Sequence, residues 1–244
     1  MCIGDSITDG YNVPGSYRKF LYHGLIKKGY KIKMIGTKNK FTSKYIDEKT
    51  GEIIKYEDDN IGYNGFTIKS YRNRRGIYEL LKETKCLSKN PDIIILQIGT
   101  NNILDNHYPE GNIEDFDILI DYILDNIPPT SMLFVTEIPL IDFDNNIFLS
   151  YFLNYIRMRN IDLEQAKNNF NNSIKYFNSE IISNIKNKNK IGRNIRPANV
   201  NLALTDIKTQ LDDGIHPNNI GYKAIGEYWV EIISNYLKEI NYKK

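Results

Sequence analysis

The sequence predicts an α/β protein whose central parallel sheet is covered by helices on both faces. Short segments of strand length alternate along the chain with longer segments of helical periodicity. Successive strand–helix–strand units produce this alternation, and such units build a parallel sheet between two layers of helices. The chain has 244 residues, which fits a single domain, and we predict one domain over residues 1–244.

The strands are predicted from runs of apolar or alternating residues. The stretch from Tyr30 to Gly36 alternates polar and apolar residues, which predicts a strand. Residues 92–98 and 131–138 are nearly continuous apolar runs, typical of strands buried on both faces. A weaker candidate lies near Val200 to Leu204. The first strand ends at Gly4 and is short, from which we expect the chain to be a domain excised from a longer protein.

Helical periodicity fills the intervals between these runs. Three apolar faces have the spacing of a helix, and a last helix is predicted over about residues 221–240. Gly29 is a suitable end for the first helix, and Pro128-Pro129 stops the third. The three faces are Tyr17, Phe20, Leu21 and Leu25; Ile77, Leu80, Leu81 and Thr84; and Ile113, Phe116, Ile120, Ile123 and Ile127.

Two segments depart from the simple alternation. Residues 38–60 are polar with a turn near Gly51, and residues 142–183 are largely helical and rich in Phe and Tyr. We expect both to be insertions around the carboxyl edge of the sheet, where ligands bind in open α/β sheets. The Asn/Lys-rich stretch Asn184–Asn194 is predicted to be a surface loop.

Composition argues against several classes of partner. The net charge is +2 and the basic residues are interspersed with acidic ones, so no basic stripe indicates nucleic acid. No apolar run reaches transmembrane length, so no membrane partner is expected. Cys2 and Cys86 are too few for a disulfide framework and are expected to be buried thiols. The three histidines lack zinc-ligand spacing, so neither a metal nor another cofactor is expected.

A candidate nucleophile lies in the run Gly4-Asp5-Ser6-Ile7-Thr8, between the first strand and the first helical region. A serine on this turn sits at a helix N-terminus, where unpaired N–H groups favour negative charge. The alternative is that Ser6 or Asp5 is only a helix cap, since both are preferred cap residues.

A candidate base lies in the run Asp213-Gly214-Ile215-His216-Pro217. An attacking serine needs a base, and the base needs a group that fixes its tautomer. Asp213 and His216 are three positions apart and would share one face of a helical turn. The alternative is a plain turn, which Asp-Gly and His-Pro also favour. His23, inside a predicted helix, and His107, in a loop, are poorer candidates.

Two further runs supply candidate hydrogen-bond donors, Gly62-Tyr63-Asn64-Gly65 and Gly99-Thr100-Asn101-Asn102. The second follows the buried strand directly, so Asn101 lies at the carboxyl end of that strand. A side-chain amide and a glycine N–H can both donate to a developing oxyanion. The alternative for each is an ordinary turn.

Together the four runs resemble, in order and spacing, the four signature blocks of the SGNH (GDSL-like) hydrolase superfamily. The resemblance extends from Gly4 to Pro217 and implies a three-layer, flavodoxin-like fold with strand order 2-1-3-4-5. It implies that Ser6 attacks an ester carbonyl, that His216 is the general base, and that Asp213 orients the imidazole. The backbone N–H groups of Ser6 and Gly65 and the side chain of Asn101 would form the oxyanion hole.

Within this superfamily the chain most resembles acetyl xylan esterases of carbohydrate esterase family 3. The resemblance implies a secreted esterase that removes acetyl groups from acetylated carbohydrate, with possible flanking domains in a longer chain. The second block departs from the usual Gly-Tyr-Ser-Gly through Asn64, and the segment 142–194 is distinctive. A short-chain lipid-type acylhydrolase or lysophospholipase and a non-catalytic carbohydrate-binding module remain as alternatives. The tyrosine-rich insertions favour sugar over lipid.

Overall fold

A computed structural model describes residues 1–38, 43–47, 50–105 and 109–242 of the chain. Its centre is a sheet of five parallel strands in the order β4-β1-β5-β6-β7, and a separate antiparallel hairpin pairs β2 with β3. Counted by chain order within the sheet alone, the order is 2-1-3-4-5, so the predicted flavodoxin-like fold is confirmed. The strands are β1 (Cys2–Gly4), β2 (Ser43–Ile46), β3 (Ile53–Tyr56), β4 (Ile61–Gly62), β5 (Ile93–Gln97), β6 (Met132–Thr136) and β7 (Ile195–Ala198).

Helices cover both faces of the sheet. The helices are α1 (Ser6–Asp9), α2 (Ser16–Lys27), α3 (Ile77–Thr84), α4 (Thr100–Leu104), α5 (Pro109–Asp125), α6 (Asn146–Arg159), α7 (Leu163–Lys190), α8 (Ile207–Gln210) and α9 (Asn219–Glu239). Alternate residues of β5 and β6 face opposite layers. Ile94 and Leu133 pack with α3, α5 and α7, whereas Ile95 and Phe134 pack with α2 and α9. Because both faces are buried, these strands have no polar side, as their sequence predicted.

The prediction of a strand over Tyr30–Gly36 is wrong. Burial does alternate there, with Tyr30 and Met34 buried and Lys33 exposed, but the segment forms no ladder. The N–H of Met34 donates instead to the side chain of Glu57, at 2.6 Å. The edge of the sheet beside β1 is taken by β4, with Ile3 opposite Ile61. The alternation of polar and apolar residues therefore indicates which side of the segment is buried. It does not indicate whether the segment pairs with a strand.

Two predictions near the end of the chain also need correction. The fifth strand is β7, whereas the predicted Val200–Leu204 begins with a 3₁₀ turn, Val200–Leu202. The stretch Asn184–Asn194 is not a loop throughout, because α7 continues to Lys190. Ile185 in that stretch is fully buried, and Lys188 pairs with acidic residues of α5. One apolar residue per turn thus suffices to hold a helix whose other faces are polar.

The two irregular segments are a hairpin and a helical pair. The hairpin β2–β3 occupies the first, with its backbone closed by a bond from the Gly51 N–H to the Asp47 carbonyl of 2.8 Å. Helices α6 and α7 form the second. The phenylalanines of this segment, one of them just before α6, pack into the core against one another, so these aromatic residues do not supply a sugar-stacking surface. The packed set is Phe143, Phe148, Phe152 and Phe170.

The two cysteines are free and buried on opposite faces of the sheet. Cys2 belongs to the layer that contains α2 and α9, and Cys86 to the layer that contains α3 and α5. Among the residues that the structure describes, no helix is both long enough and apolar enough to cross a membrane.

Candidate active site

Ser6 lies at the carboxyl edge of the sheet, on the turn from β1 into α1. Asp5 caps that helix, with its Oδ1 accepting the N–H of Ile7 at 3.0 Å. A Cβ on Gly4 would lie 2.2 Å from the Gln97 carbonyl oxygen of the neighbouring strand, so only glycine fits there. The cap reading of this run is thus correct for Asp5, which leaves the hydroxyl of Ser6 free for another partner.

The Asp213–His216 segment is a loop and not the helical turn that the spacing suggested. It lies between Leu211 and Pro217, which form a bridge. Oδ1 of Asp213 accepts the backbone N–H groups of Ile215, at 3.0 Å, and His216, at 2.8 Å. The side chain of Asp213 therefore folds its own loop as well as facing the imidazole.

This loop brings the three predicted residues into one hydrogen-bonded series. Oδ2 of Asp213 lies 2.7 Å from Nδ1 of His216, and Nε2 of His216 lies 2.8 Å from Oγ of Ser6. An ionised Asp213 can only accept, so Nδ1 carries the proton and Nε2 faces the hydroxyl with its lone pair. In this arrangement the imidazole can remove the hydroxyl proton.

Asp213 is held in its charged form. Burial, the largest effect, would raise the pKa of this carboxyl, but hydrogen bonds from the side chain and backbone of His216 and from Ile215 outweigh it. The net result is a pKa below the usual range for aspartate. The carboxylate can therefore stabilise a positive charge on the adjacent imidazole.

The three residues predicted to form the oxyanion hole have donors without a partner in the described structure. Gly65 adopts φ +76°, a backbone that other residues rarely adopt. Nδ2 of Asn101 donates one hydrogen to the Phe66 carbonyl, at 2.8 Å, and keeps a second hydrogen for another acceptor. Within the described chain, no hydrogen bond occupies the backbone N–H of Ser6 or of Gly65. The predicted oxyanion residues thus offer unused donors.

Residues 1–229 match the family model of GDSL-like lipases and acylhydrolases. The chain belongs to this family. The resemblance of the four sequence blocks to this family is thereby confirmed.

Individual relatives of this GDSL-family chain carry esterase names. It is 33% identical over 245 residues to a multidomain esterase of Ruminococcus flavefaciens, and the match covers 98% of the chain but only 28% of that protein. A family 3 carbohydrate esterase of Clostridium thermocellum has the same fold, with a TM-score of 0.65, 23% identity and coverage of 98% and 96% of the two chains. A family 3 carbohydrate esterase from Talaromyces cellulolyticus gives a TM-score of 0.64, 18% identity and coverage of 98% and 97%.

Asn102 is a site-supporting residue of this GDSL-family chain that the sequence reasoning did not single out. It is fully buried, and its Oδ1 accepts the N–H of Ile68 at 3.0 Å. Its Nδ2 donates to Oδ1 of Asn112, at 3.0 Å. Asn101 and Asn102 thus both anchor the loop that carries Gly65. The only signal in the sequence was a second asparagine in a turn-like run.

A buried ion pair supports the other side of α1. Arg18 and Asp58 pair through side chains that are 1% and 5% exposed. The same guanidinium donates to the Thr8 carbonyl at 2.9 Å and to the Asp9 carbonyl at 3.2 Å. Arg18 therefore satisfies the carbonyls at the end of the helix on which Ser6 lies. No pattern in the sequence indicated this pair, because its partners are 40 residues apart.

The surface of the site includes Tyr11, whose ring lies against His216, and Asn12, whose Nδ2 donates to Asp212 Oδ2 at 2.9 Å. These contacts join the loop after Ser6 to the loop that carries the imidazole. His23 is half-buried in α2, as predicted, and His107 lies outside the described residues. Within the described ranges, no three His, Cys, Asp or Glu side chains lie close enough to hold a metal ion.

Proposed function

We propose that this chain is a serine esterase that removes acetyl groups from acetylated carbohydrate, with xylan as the expected polymer. The observation that carries the proposal is the series Ser6–His216–Asp213, joined by hydrogen bonds of 2.8 and 2.7 Å. It combines a nucleophile, a base and an orienting carboxylate beside unused N–H donors. Neither a metal nor another cofactor is needed for this chemistry.

In the first half-reaction, Oγ of Ser6 attacks the ester carbonyl carbon and its proton passes to Nε2 of His216. The carbonyl oxygen becomes an oxyanion, which accepts hydrogen bonds from the N–H groups of Ser6 and Gly65 and from Nδ2 of Asn101. The tetrahedral adduct then collapses, and the bond from the carbonyl carbon to the sugar oxygen breaks. His216 returns its proton to that oxygen, which leaves the acetyl group on Ser6.

In the second half-reaction, water takes the place of the sugar alcohol. Nε2 of His216 removes a proton from the water as its oxygen attacks the acetyl carbon. Collapse of the second adduct breaks the bond to Oγ, and His216 returns the proton to Ser6. Acetic acid leaves and the starting state is restored. Asp213 remains ionised throughout and stabilises the imidazolium in both half-reactions.

The carbohydrate part of the proposal rests on resemblance and on polarity. The relatives named above include carbohydrate esterases of family 3 and a multidomain esterase that is 33% identical to this chain. Asn12 and Asp212 border the imidazole, so the surface around the site is polar. Secretion and additional domains in a longer protein belong to the same proposal, in keeping with the multidomain relative.

The test is acetate release from acetylated xylan, acetylated glucose and acetylated phospholipid by the wild-type chain and by Ser6→Ala. We expect release from the carbohydrates, none above background from Ser6→Ala, and a single organophosphate label on Ser6. Undiminished activity in Ser6→Ala would refute the assigned nucleophile. A clear preference for the phospholipid would favour the lipid-type acylhydrolase, and sugar binding without hydrolysis would favour the binding module.

A further inference from the structure

An open cleft of about 570 Å³ adjoins the oxyanion region. One wall consists of Asn64, Gly65 and Phe66, and the other contains Arg72, Asn73 and Arg75. Gly65 belongs both to this cleft and to the proposed oxyanion hole. When the ester carbonyl of a substrate is bound at Gly65, the sugar units next to that ester therefore lie beside the cleft.

Two of the three arginines beside the cleft are already engaged. Arg74 makes a bidentate pair with Asp105, in which Nη2 lies 2.9 Å from Oδ1. Its Nη1 also donates to the Gly65 carbonyl at 3.2 Å, so it supports the loop. Arg75 pairs with Glu83, although both side chains are largely exposed. Asp105 is the one acidic residue among those that line the cleft, and Arg74 neutralises it.

Arg72 is different. Its side chain is exposed, and among the described residues it has no carboxylate partner. The guanidinium carbon lies 5.0 Å from the centre of the Tyr71 ring, which gives the planar group a supporting surface. The cleft therefore contains a positive charge that is already positioned and has no counter-charge in this part of the chain.

The backbone presents Arg72 at the tip of a tight turn. The N–H and carbonyl groups of Tyr71 and Arg74 bond reciprocally, at 3.1 and 2.9 Å, so Arg72 and Asn73 form the tip. Arg72 adopts φ +52°, in the left-handed region where Gly, Asn and Asp are favoured. An arginine at such a position is under backbone strain, which folding alone gives no reason to retain.

From these observations we propose that the cleft is a subsite for a carboxylate-bearing sugar, a uronic acid residue, next to the acetylated sugar. The planar guanidinium of Arg72 binds the carboxylate in a bidentate manner. The amides of Asn64 and Asn73 suit sugar hydroxyl groups, whereas Phe66 is the one apolar side chain among the residues that line the cleft, too little to cover an acyl chain. The inference rests on the proposed function and specifies its substrate as an acidic acetylated carbohydrate.

The experiment compares acetate release from three polymers: acetylated xylan with glucuronic acid side groups, the same xylan after enzymatic removal of those groups, and acetylated polygalacturonate. The variants are Arg72→Gly, which suits the backbone at φ +52°, and Arg72→Lys, which keeps the charge but loses the fork. Lys55→Gln, on the exposed face of the hairpin, removes the same charge elsewhere. 4-Nitrophenyl acetate reports the chemistry alone.

We expect Arg72→Gly to lower kcat/KM about tenfold on uronate-bearing polymers, with Arg72→Lys in between and Lys55→Gln unchanged. Activity on stripped xylan and on 4-nitrophenyl acetate should be unchanged in all variants. A loss only on glucuronic-acid xylan identifies a side-group uronate, and a loss only on polygalacturonate a main-chain uronate.

Equal kcat/KM for all polymers in the wild-type chain, or an equal loss on stripped and unstripped xylan in Arg72→Gly, would overturn the subsite while leaving the esterase proposal intact. In the esterase assay described above, a preference for the acetylated phospholipid that disappears in Arg72→Gly would overturn it in favour of a phosphate ligand. Absence of hydrolysis of every acetyl ester, 4-nitrophenyl acetate included, would instead refute the proposed function.

Discussion

The Tyr11 ring lies against the His216 imidazole, with ring centres 4.7 Å apart and planes inclined at 32°. Tyr11 is 55% exposed, so its ring covers the outer face of the imidazole while remaining in contact with solvent. Among the residues that the structure describes, the side chains that hydrogen-bond to the imidazole are those of Ser6 and Asp213. Tyr11 is therefore a positioning residue, and it acts on the base from the side that faces the solvent.

Removal of the Tyr11 ring should lower the catalytic efficiency moderately. Contacts between aromatic rings contribute about 0.5–1.5 kcal/mol, so Tyr11→Ala should lower kcat/KM on 4-nitrophenyl acetate by about two- to tenfold. Tyr11→Phe keeps the ring and should remain close to wild type. Equal losses in both variants would mean that the hydroxyl, and not the ring, matters.

Asn101→Ala should lower kcat by about 10²–10³-fold with little change in KM, because the oxyanion exists only near the transition state. Asn101 also bonds to Phe66, so loss of a loop anchor must be separated from loss of a donor. Asn102→Ala removes a neighbouring anchor without touching the oxyanion position. It should lower Tm while kcat stays close to that of the wild type. An unchanged kcat with a raised KM in Asn101→Ala would assign this residue to substrate binding.

The three residues of the series should behave as a unit. In hydrolases with this arrangement, loss of the serine or the histidine costs about 10⁶-fold in kcat, loss of the aspartate about 10⁴-fold, and the losses do not add. We expect Ser6→Ala and His216→Ala to be equally inactive and the double variant to be no worse. Asp213→Ala should retain more activity. Single-turnover assays with an activated ester measure all four, and additive losses would contradict the shared role.

Asp5 should make stability depend on pH. Burial, the main cause, raises the pKa of its carboxyl from 3.8 to about 6, although the Ile7 N–H and the nearby His216 oppose the shift. The folded chain therefore keeps a proton that the unfolded chain releases. The contribution to stability is full below about pH 3.8 and is lost as the pH rises through about 6.

The matched variant for this prediction is Asp5→Asn, which keeps an oxygen to cap α1. Between pH 4 and 7, its free energy of unfolding should rise relative to wild type by on the order of 3 kcal/mol. Urea unfolding at several pH values gives this difference directly. A difference that stays constant with pH would show that the carboxyl of Asp5 ionises alike in both states.

Acetyl esters should be cleaved faster than longer ones. Ile7 and Ile103 are both buried in the core, so neither offers an apolar surface to an acyl chain at the site. Each methylene left unburied forgoes about 0.8 kcal/mol of binding. A series of 4-nitrophenyl esters from acetate to octanoate, compared by kcat/KM, should have its maximum at acetate. A maximum at six or eight carbons would favour the lipid-type acylhydrolase.

The sequence predicted most reliably those features that one local pattern determines. The apolar run before Gly99 is typical of a buried strand, the face shared by Ile77, Leu80 and Leu81 is typical of a helix, and the structure confirms both. Alternation between Tyr30 and Gly36 failed because it records burial, while strand pairing depends on a distant partner. The extent of α7 was missed because the many Asn and Lys residues near Ile185 obscured its helical spacing.

The residues of the site likewise fall into those that local sequence motifs indicated and those that they did not. Ser6, Gly65, Asn101, Asp213 and His216 stand in short runs whose order matched known blocks. The structure joins three of them, Ser6, His216 and Asp213, by hydrogen bonds. Their supports could not be found in this manner. Arg18 meets Asp58, and Tyr11 meets His216, only once the chain has folded. When the role of a side chain depends on a partner far away in the chain, a single sequence contains no pattern that indicates it.

Ser6 and His216 are 210 positions apart, so their contact closes nearly the whole chain into a ring. During synthesis the nucleophile emerges 210 residues before the base, which appears only with the residues just before α9. Contacts between such distant residues form late and slowly. Throughout synthesis the growing chain therefore carries an inert serine. During refolding, hydrolysis should return after helical content. The rate of ester cleavage therefore measures the fraction of molecules that have folded completely.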